Sequence, residues 1–87
     1  MSEDARIVVY VTDYCPYCVM AKRLLDARTI PYRVVEIQDD ETRQNIVEQT
    51  GWRTVPVILL DDELIGGYME LASLDQSGEL KKRLESA

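Results

Sequence analysis

From Ile7 to Val11 the chain reads Ile-Val-Val-Tyr-Val, an unbroken β-branched and aromatic run of the kind a strand shows when both its faces are covered. The pattern then changes period. Cys18, Ala21, Leu24, Leu25 and Arg28 recur at helical spacing, with Lys22 and Arg23 off the apolar stripe, so a helix follows. Thr29-Ile30-Pro31 ends it, because Pro31 pushes Ile30 away from helical dihedrals. Tyr32 to Ile37 reads as a second strand. Asp39 or Asp40 can cap a second helix that reaches Thr50 and closes at Gly51, on a thin apolar face of Ile46 and Val47. Val57 to Leu60 and Glu63 to Ile65 make a hairpin across an Asp61-Asp62 turn. Gly66-Gly67 lead into a helical stretch carrying Leu71 and Leu74, and Gly78 separates it from a short last helix that can bury Leu80 and Leu84. The order β-α-β-α-β-β-α has a right-handed crossover between the first two strands if they are parallel. It predicts an α/β fold: a central four-stranded mixed β-sheet flanked by α-helices.

Composition narrows the setting. A chain of 87 residues that is 46% apolar is large enough for one core and too small for two, so residues 1–87 are expected to form a single domain. No internal repeat, low-complexity tract or linker divides it. Ten basic against sixteen acidic residues give a formal charge of −6, which argues against a nucleic-acid partner. The acidic clusters Asp39-Asp40-Glu41 and Asp61-Asp62-Glu63 fit a helix N-terminus and a polar turn. No apolar run of 18 residues is present, so no membrane span is expected.

The chemistry is concentrated in Cys15-Pro16-Tyr17-Cys18. These are the only two cysteines, and the chain has no histidine, so a structural zinc site with four such ligands cannot be assembled within it. A structural disulfide and a redox-active pair remain. The lack of an apolar signal segment favours a reducing cytosol and hence the redox pair. The motif sits where a buried strand turns into a helix. Pro16 suits the first helical position, since its fixed φ is already helical, and this makes Cys15 the N-cap. The backbone N–H groups of Tyr17 and Cys18 then point at the Cys15 sulfur, at the positive end of the helix dipole. Helix-terminal and Cys-x-x-Cys thiols have their pKa lowered from roughly 8.5 to between about 3.5 and 7.5. Cys15 is therefore expected to be the nucleophile. Cys18, one turn further in on the apolar stripe, stays a neutral thiol and suits the resolving role. Thiolate attack on a disulfide needs no general base, so the missing histidine does not weigh against catalysis.

Cys15-Pro16-Tyr17-Cys18 after the first strand, Thr54-Val55-Pro56 before the third and Gly66-Gly67 after the fourth together resemble a dithiol glutaredoxin of the thioredoxin fold. The likeness runs from about Ile7 to Leu84. It implies glutathione as co-substrate and electron donor and disulfide-containing or glutathionylated proteins as partners; a monomer with no bound metal is expected, and the lack of a signal segment points to the cytoplasm. It also implies a cis peptide before Pro56, whose bend leaves the N–H and C=O of Val55 for the cysteine part of glutathione, as an added strand would use them. By the same likeness the γ-glutamyl end lies over the Met69 backbone and the Glu70 side chain, where many relatives have two aspartates. Relatives usually carry a lysine three residues before the first cysteine, where this chain has Thr12. Arg43 is the candidate to replace that charge, with Arg53 a weaker one.

Tyr17 is expected to be exposed beside the sulfur and to cover the substrate, while Tyr10 belongs to the core. Trp52 either flanks the groove or packs on the second helix. Two alternative functions stay open. One is a thioredoxin-like hydrogen donor recycled by a flavoprotein reductase, kept open by Thr12. The other is a [2Fe–2S] carrier built from two chains and two glutathiones, against which Pro16 counts by resemblance.

Overall fold

The computed structural model describes residues 5–85. Its elements are β1 (Ile7–Val11), α1 (Pro16–Ala27), β2 (Tyr32–Glu36), α2 (Asp40–Thr50), β3 (Val57–Leu60), β4 (Glu63–Gly66), α3 (Tyr68–Ser77) and α4 (Glu79–Glu85). The sheet order is β2-β1-β3-β4. β1 pairs parallel with β2, from Ile7 opposite Tyr32 to Val11 opposite Glu36, and antiparallel with β3, from Ile7 opposite Leu60 to Tyr10 opposite Val57. The mixed four-stranded sheet with flanking helices expected from the pattern is therefore the one formed. Ile37, expected at the end of the second strand, lies just beyond it, yet its N–H still donates to the Val11 carbonyl at 2.8 Å.

Ile7, Val9 and Val11 turn one face of β1 inward, and with Ile58 and Leu60 of β3 they meet Cys18, Ala21 and Leu25 of α1, Leu71 of α3 and Leu80 of α4 in one cluster. The expectation that β1 is covered on both faces needs correcting. Val8 and Tyr10 are only half-buried. The residues fully buried outside the main cluster are Pro56, Val57, Ile46 and two glycines, because α2 offers so little apolar surface. Removing a side chain such as Leu25 or Ile58 from water contributes roughly 1.5–3 kcal/mol, more than exposed ion pairs do. The core face of β1 thus fixes the end of the strand that leads into Cys15.

The turn chemistry matches the residues. Asp61 and Asp62 both have positive φ, 52° and 66°, as the hairpin turn favoured by strand twist demands. Arg6 clamps this corner: its guanidinium bonds the Asp61 carboxylate and donates to the Leu84 carbonyl at 2.8 Å, tying β1, the hairpin and α4 together. Arg28, placed on the apolar stripe by spacing, is instead the exposed C-cap of α1 and pairs with Asp75 at 2.9 Å, joining α1 to α3.

Asp39 caps α2, its Oδ1 accepting the Thr42 N–H at 2.7 Å, and hydrogen bonding from the Thr42 side chain, together with that backbone bond, holds its carboxyl below the usual range. A carboxyl whose folded pKa is depressed stabilises the protein above its unfolded pKa, about 3.9, and that contribution is lost as pH falls through the lower folded value. Asp39→Asn keeps a capping oxygen without the titration. It should melt slightly below the parent at neutral pH, where the parent keeps its carboxylate's contribution, and converge with it on acidification below about pH 4, as followed by circular dichroism.

Candidate active site

The first turn of α1 is arranged around sulfur. Cys15 is the N-cap with extended backbone (φ −123°, ψ 95°), Pro16 opens the helix, and the Cys15 carbonyl accepts the first helical bond from the Val19 N–H at 3.1 Å. The Cys18 N–H donates to the Cys15 Sγ at 3.2 Å. Cys15 and Cys18 are joined as a disulfide, so this Sγ stands in for the thiolate formed on reduction. No acidic residue lies in the first turn of α1 to oppose a negative sulfur. Cys18 is 2% exposed and belongs to the core cluster, whereas Cys15 is half-buried. The asymmetry read from the sequence, an accessible capped sulfur and a shielded one, is present.

A groove of about 500 Å³ is lined by Tyr17, Arg43, Thr54, Val55, Pro56, Met69 and Glu70, which come from four separate stretches of chain. Apart from Arg53, the weaker candidate, every residue singled out for glutathione therefore reaches one surface. The Val55–Pro56 peptide is cis, as the resemblance implied. Val55 lies outside the β1–β3 ladder, which ends at Tyr10 and Val57, and this leaves its backbone at the head of the sheet. Tyr17 is 55% exposed and Met69 is 67% exposed. Arg43 lines the groove while its Nη2 donates to the Arg53 carbonyl at 3.1 Å; Arg53 contributes a backbone oxygen and not its charge. Thr12 is absent from this groove and lines a neighbouring one with Cys15.

Glu70 has a local duty. Its Oε1 accepts the Gly67 N–H at 3.0 Å, half of a capping box, since glycine has no side chain to return the bond. The fold requires Gly66 for this: at φ 128° an added Cβ would stand 2.8 Å from the Glu70 Cγ. Glu70 is thus held at the start of α3 with one carboxylate oxygen uncommitted.

Three groove residues were not singled out as ligands by sequence. Tyr68, the first residue of α3, stacks on Tyr17 with ring centroids 6.3 Å apart, closing one wall. Gly67 lines the same groove, close to Trp52 and Pro56. Trp52, for which the sequence left two positions open, lines the groove, and its indole nitrogen is buried with no hydrogen-bond partner among the described residues. An aromatic next to Gly66-Gly67 was the one available signal for Tyr68, but only the tertiary fold brings it against Tyr17.

A capped dithiol at a strand–helix junction, beside an apolar groove headed by Thr54-Val55-Pro56, defines a thiol–disulfide oxidoreductase of the thioredoxin fold. Comparison with known proteins narrows the class. Residues 7–65 match the family model for Glutaredoxin. Glutaredoxin 1 of Rickettsia typhi is 36% identical over 83 residues, covering 92% of this chain and 80% of the relative, and Glutaredoxin-1 of Homo sapiens is 34% identical over 90 residues, covering 95% and 85%. A buckwheat glutaredoxin–glutathione complex superposes with a TM-score of 0.82 at 28% identity, over 88% of this chain and 74% of that one. The chain belongs to the glutaredoxin family, whose members are glutathione-dependent thiol–disulfide oxidoreductases. Among the described residues, no helix is long and apolar enough to cross a membrane.

Proposed function

We propose that this glutaredoxin uses Cys15 as nucleophile and Cys18 as resolving thiol to reduce glutathionylated and disulfide-containing proteins at the expense of glutathione, as a monomeric single domain in the cytoplasm. The observation that carries the reading is one juxtaposition: the capped sulfur of Cys15 stands next to Tyr17, which lines the groove containing Thr54, Val55, Pro56, Met69 and Glu70. On a protein–glutathione mixed disulfide, the Cys15 thiolate attacks the glutathione sulfur and releases the protein thiolate. A second glutathione thiolate then attacks the Cys15–glutathione bond, yielding glutathione disulfide and returning Cys15. On a disulfide within a protein, Cys15 forms a mixed disulfide with one sulfur, and Cys18 displaces it to close the Cys15–Cys18 bond.

Each end of glutathione meets complementary groups. The N–H groups at the start of α3 suit the γ-glutamyl carboxylate, and the uncommitted oxygen of Glu70 suits the amine. Arg43 suits the glycine carboxylate, filling the role left vacant by Thr12. The family assignment favours glutathione over a flavoprotein reductase as electron source. A coupled assay comparing glutathione and its reductase with thioredoxin reductase decides between them: turnover with thioredoxin reductase alone would overturn the proposal. In the same assay Arg43→Ala should raise KM for glutathione about fivefold, or about 1 kcal/mol for a partly exposed charged contact. The effect should shrink at high salt, and Arg53→Ala, which retains its carbonyl, should change KM far less.

A further inference from the structure

A second groove, of about 460 Å³, contains both sulfurs. Cys15, Cys18, Thr12 and Val19 line it together with Lys22 and Glu36. Lys22 is the only half-buried lysine, and among the described residues its ammonium makes no hydrogen bond or ion pair, unlike Arg6 and Arg28 with their carboxylates. Cys18 and Lys22 stand four residues apart within α1, the spacing at which helical side chains are neighbours, with Cβ atoms about 5–6 Å apart. A long side chain on a helix leans toward the N-terminus, so Lys22 leans back over Cys18. Cys15 is seven residues before Lys22, but its Sγ is bonded to that of Cys18, so the Lys22 charge bears on both sulfurs, of which only Cys15 also has the helix-start N–H groups.

This matters because Cys18 has a difficult task. It must ionise in order to attack, yet it is 2% exposed, and burial in apolar surroundings favours its neutral thiol. Helix-start N–H groups serve Cys15; the Cys18 N–H itself is directed at the Cys15 sulfur. We propose that Lys22 supplies the charge that lets Cys18 act as the resolving thiolate. The inference rests on the order of attack given above, Cys15 first and Cys18 second. In the step concerned, the Cys18 thiol loses its proton to solvent, and its thiolate attacks Cys15 Sγ in the mixed disulfide. The Cys15–Cys18 bond forms, the bond to the substrate sulfur breaks, and the substrate leaves as a thiolate. Lys22 takes no proton and touches no substrate; it is a positioning residue that acts through the Cys18 sulfur. Asp13 and Glu36 also line the groove and oppose it, so removing the Glu36 charge has the opposite sign.

The test uses reduced enzyme and one equivalent of dithiobis(nitrobenzoate), which releases a coloured thiolate twice: once when Cys15 attacks and once when Cys18 resolves. Lys22→Gln should slow the second phase near neutral pH by about three- to tenfold, the loss in thiolate fraction when a pKa rises by about half to one unit. The first phase should change by less than about twofold, because the helix-start N–H groups and better solvation already favour the Cys15 thiolate. Lys22→Arg should restore the second phase, and Glu36→Gln should accelerate it. Raising the pH should abolish the difference between Lys22→Gln and the parent, since Cys18 then ionises unaided. An unchanged second phase, or slowing that persists at high pH, would overturn the proposal. The underlying order of attack is checked separately, because Cys15→Ser must lose the first phase whatever Lys22 does.

Discussion

Cys15→Ser is expected to reduce turnover on every disulfide substrate to background while leaving the fold intact. The reasoning starts from the backbone. Pro16 opens α1, Cys15 is its N-cap, and the Cys18 N–H already donates to the Cys15 sulfur at 3.2 Å. A serine hydroxyl accepts that bond equally well, being among the preferred N-cap groups, so α1 should keep its start. What serine lacks is an anion at neutral pH, and no nearby histidine can serve as a base, because the chain contains none. The reduced parent should show the ultraviolet absorbance of a thiolate at neutral pH, falling as acid protonates Cys15 below the ordinary thiol range. That signal should disappear in Cys15→Ser, with helical circular dichroism preserved. If thiolate absorbance survives the substitution, Cys18 and not Cys15 is the ionised sulfur, and the roles must be exchanged.

The features that were legible in the sequence are those set by neighbours along the chain. Proline after Cys15 dictated the helix start, Asp39-Asp40 offered a cap that falls on Asp39, and Asp61-Asp62 dictated a turn, each because a local steric or hydrogen-bonding rule admits few alternatives. The unbroken β-branched run marked β1 but overstated its cover, since Val8 and Tyr10 are only half-buried and a run without alternation does not say which face is left thin. The groove was reached only through resemblance, because its walls come from α1, α2, the segment before β3 and the start of α3. For the same reason the sequence left Arg43 and Arg53 both open, while the fold turns one toward the groove and uses the other's carbonyl. Tyr17 and Tyr68 are 51 residues apart, and nothing local links them. Glu70 could be read as a ligand for the glutathione amine, but its bond to the Gly67 N–H shows that it first completes its own helix.

Replacing Cys18 should separate the two routes of reduction. With Cys18 absent, attack by Cys15 on a glutathione mixed disulfide still leaves a Cys15–glutathione bond that a second glutathione can break, so this activity should persist. On a disulfide within a protein, Cys15 remains joined to the substrate. The substrate's own second thiol stays close enough to reverse the reaction, and only an internal thiol such as Cys18 competes with it on equal terms. Activity on such substrates should therefore fall by an order of magnitude or more, on the scale of the effective molarity lost. The choice of replacement matters, because Cys18 is 2% exposed and packs in the core with Ala21 and Leu25. A serine hydroxyl buried there without a partner costs about 1–3 kcal/mol, so Cys18→Ala, small and apolar, is the better test and Cys18→Ser its check. Both variants should show the same selectivity if the thiol is what matters, with Cys18→Ser melting lower. Equal loss on mixed disulfides and on protein disulfides would mean that Cys18 acts before resolution, and the division of labour between the capped and the buried sulfur would have to be abandoned.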